Sequence, residues 1–180
     1  MGKDRKIDVG ILGLLAHEDL TGYDIKKRID TAIGFFWKGS FGSIYPSLGD
    51  MEKQGLVQKK SSGVSGGREK IIYHITSAGR TFLKKWLNDE KASNELKYET
   101  LLKLYFGGAE TSEVAVRNIE IFEEQVKENL AILRIYKENL EKVLDKADHK
   151  YYYLTVTFGI DTYEAYLKWC KKARAFLERH

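Results

Sequence analysis

The chain has 180 residues, 43% of them apolar and 31% charged, and a net charge of +4. That length suits one domain, or a small domain with an appendage, and the balance is that of a globular chain rather than a disordered or fibrous one. A single cysteine, Cys170, excludes an intrachain disulfide, and the longest nearly apolar run, residues 9–16, is far too short to span a bilayer.

The N-terminal charges Lys3, Asp4, Arg5, Lys6 and Asp8 are not followed by an apolar segment with a small-residue cleavage site, so no secretory signal is read. The expectation is a cytoplasmic protein without a membrane partner. Residues 1–90 hold 15 Lys and Arg against 11 Asp and Glu, a balance of +4, while residues 91–180 hold 15 of each. The whole excess therefore sits in the first half, as in a polyanion reader joined to a neutral assembly module.

The first helix is expected over residues 7–17, where Val9, Ile11, Leu12, Leu14 and Leu15 cover most of its circumference. Thr21 and Asp24 form a capping-box start signal. A second helix then runs to about residue 33, with Ile25, Ile29 and Ile33 on one face. The aromatic run Phe35-Phe36-Trp37 is read as a core plug. A third helix carries the stripe Phe41, Ile44, Leu48, Met51, with Ser43, Ser47, Asp50 and Gln54 opposite and Gly55 as its stop. Pro46 strains that assignment, because a mid-helix proline loses a hydrogen bond; a bend or an irregular first turn is expected.

Two short strands follow, residues 56–60 and 70–76, around a glycine-rich loop. Thr76 or Ser77 then caps a fourth helix bearing Phe82, Leu83, Trp86 and Leu87. Three helices, a hairpin and a helix within about 88 residues make the winged helix-turn-helix arrangement, in which the third helix enters the major groove and the hairpin lies over the backbone. Breaks at residues 88–94, 107–108 and 145–150 divide the remainder. The expected domains are 1–88, winged helix-turn-helix, and 89–180, helical and dimerising; the fold class is mainly α with a small β-hairpin.

In the second half, Ile119, Phe122, Val126, Asn129, Leu133, Tyr136, Leu140 and Val143 follow a 3-4 spacing like a coiled-coil seam, with Asn129 the polar residue that fixes register. This seam is expected to join two copies. A last helix is expected over residues 161–177. Tyr151, Tyr152, Tyr153, Phe158, Tyr163, Tyr166 and Trp169 either line a pocket for a flat aromatic effector or pack the arm and the dimer seam.

Ser40 at the N-cap, with Ser43 and Ser47, suits contacts to phosphates and weak base discrimination. Lys59, Lys60, Arg68 and Lys70 flank the run Gly63-Val64-Ser65-Gly66-Gly67, where glycines permit close backbone approach and cations release counterions. The loop is not a Walker motif, since Gly67 is followed by Arg68-Glu69-Lys70. His17, His74, His149 and His180 are dispersed, and no catalytic motif, metal-ligand spacing or cofactor signature appears. Glu123, Glu124 and Glu128 read as a solvated face.

The stretches ILGLLAHEDLTGYDIKKRI, FWKGSFGSIYPSLGDMEKQGLV and GGREKIIYHITSAGR resemble the PadR family of bacterial transcriptional regulators, over about residues 11–80. More loosely, LLKLYFGG and FGIDTYEAYLKWC resemble the helical C-terminal domain of the longer members, of the virulence-activator type. The resemblance implies a homodimer that binds double-stranded DNA, in most cases a repressor, in some cases released by a small aromatic molecule. It puts Ser40, Ser43, Tyr45 and Ser47 in the recognition-helix motif, with Tyr23 and Lys38 beside it, and Arg68 and Lys70 in the wing. It also puts Pro46 inside the helix, as a tolerated bend. Gly49-Asp50 departs from the basic residues that many members carry there, which shifts weight to the wing. An effector site is expected between the winged helix and the arm, near Trp37 or Trp169. The rival reading is a protein-interaction adaptor on the same scaffold, which has no need of four wing cations.

Overall fold

The computed structural model describes residues 6–37, 44–65, 68–89, 94, 97–146 and 148–179, with the side chains of 61–65 and 68–70 outside that description. The chain divides into two compact units, residues 1–93 and 94–180.

The first unit is a winged helix. Helix α1 (Lys6–Leu15) buries Ile7, Val9, Ile11, Leu12 and Leu15, as its all-round apolar sequence requires. Strand β1 (Leu20–Thr21) is only two residues long, too short to show an alternating pattern in sequence. Thr21 then caps α2 (Gly22–Arg28) with both halves of the capping box formed: its hydroxyl accepts from the Asp24 N–H, and the Asp24 carboxylate accepts from the Thr21 N–H. A cap of this kind is worth about 1 kcal/mol. The helix does not run regularly to residue 33; it widens into one π-helical turn, Ile29–Ile33.

In the described span of α3 (Ile44–Lys53), Pro46 falls in the first turn. The bend expected at Pro46 depends on how the helix begins, and residues 38–43 ahead of it lie outside the described residues. Gly55 ends the helix with φ +70°, a left-handed conformation that favours glycine.

The expected hairpin is longer than the sequence suggests. Strand β2 (Val57–Ser65) and β3 (Arg68–Ile75) are antiparallel, and the sheet order is β1-β3-β2. Gly63, Val64 and Ser65 thus belong to a strand rather than a loop; the ladder absorbs Gly63 by shifting register between Ser61 and Val64. Helix α4 (Ser77–Leu87) is capped by Thr76, whose Oγ1 accepts from the Gly79 N–H and donates to the Gly55 carbonyl at 2.7 Å. One core joins Ile11, Leu15, Ile25, Leu48, Met51 and Ile75, with Phe82 and Leu83 against it, while Trp86 and Leu87 stay exposed. Of the expected aromatic plug, Phe36 is exposed and Trp37 lies half-buried under the Lys6 ammonium.

The second unit is helical: α5 (Glu99–Tyr105), a short 3-10 turn, α6 (Ser112–Glu141) and α7 (His149–Leu177). Helix α7 starts twelve residues before the expected position, so that the end of the expected break at 145–150 and the tyrosines at 151–153 are helical. It folds back antiparallel on α6. Arg134 reaches Glu164 at 2.9 Å, and Arg174 reaches Glu123 at 2.9 Å. Glu123, read from sequence as solvated, is largely enclosed and also meets Lys127.

Ile119, Val126 and Leu133 of the expected seam are buried inside this hairpin, with Phe122, Tyr136 and Leu140 half-buried. Asn129 is exposed instead. Leu130, four residues after Val126 and three before Leu133, takes the buried slot, so the seam runs 4-3 there rather than 3-4. At the open end of the hairpin Tyr98, ahead of α5, packs edge-on against Phe122 and Tyr166, and its hydroxyl bonds to that of Tyr166. Burial and that bond push the Tyr98 phenol well above its usual pKa.

Candidate nucleic-acid interface

The helix pair α2–α3 forms the front of the first unit. Tyr23 is 65% exposed and Tyr45 is 61% exposed. The Tyr45 ring lies across the start of α2, against Gly22. Both side chains are free to meet a partner, as the sequence reading requires of them.

Ser47 is different. It is fully buried, three residues after Ile44 and four before Met51, so its periodicity puts it on the core stripe of α3. Among the described residues its Oγ has no hydrogen-bond partner. Ser47 is therefore not a DNA-facing residue in this fold; its polarity, not its spacing, suggested the outer face. Ser47→Ala should keep or raise stability, by up to about 1 kcal/mol, because an unpaired buried hydroxyl costs free energy. Chemical denaturation measures this, and a loss of stability would refute it. Lys38, Ser40 and Ser43 lie outside the described residues, as do the side chains of Arg68 and Lys70.

The two remaining wing cations are described, and both are spent on carboxylates. Lys59 Nζ lies 2.6 Å from Glu52 at the end of α3. Glu52 holds the Lys59 amine above its ordinary pKa. Lys60, on the opposite face of the strand, reaches Asp19 at 3.1 Å, and the other oxygen of Asp19 meets His74 Nδ1 at 2.6 Å. Asp19 thus ties the loop before β1 to both wing strands. Of the four cations expected to flank the wing, Lys59 and Lys60 are thus each paired with a carboxylate.

The hydrogen bond from His74, with Lys60, holds the Asp19 carboxyl below its ordinary carboxylate pKa. Its contribution to stability is therefore complete above that ordinary value and is lost as pH falls through the lower folded value. Asp19→Asn should lower stability slightly at neutral pH, where the ionised carboxylate is fully engaged, and converge with wild type in acid, flattening the acid end of the stability curve. Equal acid midpoints for the two proteins would count against the tie.

Trp37 belongs to the first unit and Trp169 to the second, where it packs edge-on against Phe122. The second unit has an open cleft of about 460 Å³ between α5 and the start of α6, lined by Leu102, Phe106 and Val114 among others. Among the described residues no group of histidine, cysteine and acidic side chains is placed to hold a metal, and no helix is long and apolar enough to cross a membrane.

Residues 11–85 match the transcriptional regulator PadR-like family, and residues 96–178 match the virulence activator alpha C-terminal family. The negative transcriptional regulator PadR of Bacillus subtilis is 26% identical over 97% of this chain and 99% of its own. The structure of B. subtilis PadR in complex with operator DNA superposes with a TM-score of 0.80, at 27% identity over 96% of this chain and 99% of that one. The same protein in complex with p-coumaric acid gives 0.74, at 25% identity over 97% and 99%. With a PadR-like domain over residues 11–85 followed by a virulence-activator-type helical unit, in the order these proteins share, the chain is a transcriptional regulator of the PadR type.

Proposed function

We propose that this regulator binds duplex DNA sequence-specifically as a homodimer and acts as a repressor released by a small aromatic acid. The observation that carries the reading is the α2–α3 helix pair, with Tyr23 and Tyr45 turned outward, on a fold shared end to end with an operator-bound protein. Residues 1–88 read DNA in this proposal and residues 89–180 pair the copies. Tyr23 and Tyr45 contact it with Lys38, Ser40 and Ser43 near the recognition helix, and Arg68 and Lys70 supply the wing charge. Lys59 and Lys60 contribute less, because Glu52 and Asp19 already neutralise them.

The pairing surface is not the inner seam, which α7 fills. Ile121, Ile132 and Ile135 lie on the opposite face of α6, each about half exposed, and Tyr151, Leu154 and Phe158 line the outer face of α7. Apolar faces of that length are rarely left in water. A second copy covers them and supplies the two recognition helices, about 34–36 Å apart, that a two-fold operator needs. The effector is argued from the relative that binds p-coumaric acid and from the aromatics around Trp37 and Trp169.

Selection of bound duplexes from a genomic pool with the full-length chain tests the reading. Enrichment of a two-fold-symmetric site, released by planar phenolic acids, is expected. The ion pairs of Lys59 and Lys60 remove part of the charge argument against an adaptor, so recovery no different from the input pool would favour the adaptor and sink DNA binding.

A further inference from the structure

Gly22 opens α2 and is buried beneath the ring of Tyr45. A Cβ at this position would stand 2.6 Å from Cε1, 3.1 Å from Cζ and 3.3 Å from the hydroxyl oxygen of Tyr45. Non-bonded carbons pack at about 3.5–4.0 Å, so any side chain here would displace the ring. The backbone does not ask for glycine: among the described residues only Gly55 has a positive φ. The ring alone does.

The rest of Tyr45 faces solvent, so swinging it away opens no hole in the core. The contact thus does little for the fold and much for the pose of one exposed side chain. It carries the Tyr45 hydroxyl back over the first turn of α2, the turn that also bears exposed Tyr23. In helix-turn-helix proteins the first helix of the pair crosses the DNA backbone, and tyrosine hydroxyls are common phosphate donors. Holding the ring in place before DNA arrives also avoids the entropy cost of fixing it on binding.

We propose that Gly22 is a positioning residue for DNA binding: by lacking a side chain, it seats the Tyr45 ring on α2 so that its hydroxyl is presented to a phosphate. The inference rests on the DNA-binding reading above. Because a phosphate contact is blind to sequence, the effect should be the same on selected and random duplexes.

The test is a double-mutant cycle on the full-length chain, with Gly22→Ala, Tyr45→Ala and both together. Anisotropy reads affinity for a duplex recovered by genomic selection and for a random-sequence duplex at low salt. Gly22→Ala should weaken both by about tenfold per protomer, about a hundredfold for the proposed dimer, the worth of one hydrogen bond to a charged group in each copy. Its melting temperature should hold or rise, since alanine is the better helix former. In the Tyr45→Ala background, Gly22→Ala should cost nothing further. Wild-type affinity in Gly22→Ala, an equal loss in both backgrounds, or a loss that tracks a lowered melting temperature would each overturn the proposal. Wild-type protein that binds neither duplex would instead sink the DNA reading, and the positioning role with it.

Discussion

Raising salt from 50 to 200 mM should weaken the complex with a selected duplex on the order of a thousandfold. A protein that neutralises Z phosphates loses affinity with a log–log slope of about −0.9Z. On the proposed reading Lys38, Arg68 and Lys70 would supply three cations per protomer, hence about six per dimer, and a fourfold rise in salt would then cost about three decades. The ion pairs make the prediction specific. Replacing Arg68 and Lys70 with alanine should reduce the slope by roughly three to four and weaken binding to all sequences alike. Replacing Lys59 with alanine should barely move it, because its charge is already met by Glu52 at 2.6 Å. Titrations by anisotropy at several salt concentrations separate the cases. A flat response in the wild type, or a Lys59 variant as impaired as the Arg68 and Lys70 pair, would refute this account.

The second large effect divides the two faces of α6. Ile121→Glu with Ile135→Glu adds charge to exposed positions, so each chain should stay folded and helical but sediment as a monomer. Its DNA affinity should drop steeply, since one half-site supplies only part of the contact. Leu133→Glu does something else. Leu133 is 1% exposed against α7, and an unpaired charge buried there costs about 3–5 kcal/mol, enough to melt the second unit. Sedimentation velocity and circular dichroism, run side by side, distinguish dissociation from unfolding. A wild-type chain that is monomeric at micromolar concentration would overturn the pairing.

Where local chemistry decides, the residues were readable. Thr21 and Asp24 announce a helix start because the capping box closes within four residues, and Gly55 announces a stop because few residues tolerate its φ. The winged-helix order and its core stripes follow from periodicity in the same way. What was misread depends on partners distant in sequence. Ser47 looks like a surface residue until its place on the stripe between Ile44 and Met51 outweighs its hydroxyl. Lys59, Lys60 and Glu123 look free in sequence, and only the fold brings Glu52, Asp19 and Arg174 to them. Asn129 and Leu130 compete for one slot, and packing against α7 rather than heptad arithmetic awards it to leucine. Strand β1 has two residues and exists only because β3 pairs with it.

The antiparallel pairing of α6 with α7 also shapes how the molecule comes to be made. The two helices are consecutive, separated by a turn of a few residues, and each finds its apolar partner in its own chain. Contacts this close in sequence form early and rapidly, with little loop entropy to overcome. The arm therefore takes shape on a single polypeptide, at a speed independent of concentration, before any second copy is met. If two copies pair as proposed, they would then meet as finished pieces and could separate with each arm still folded.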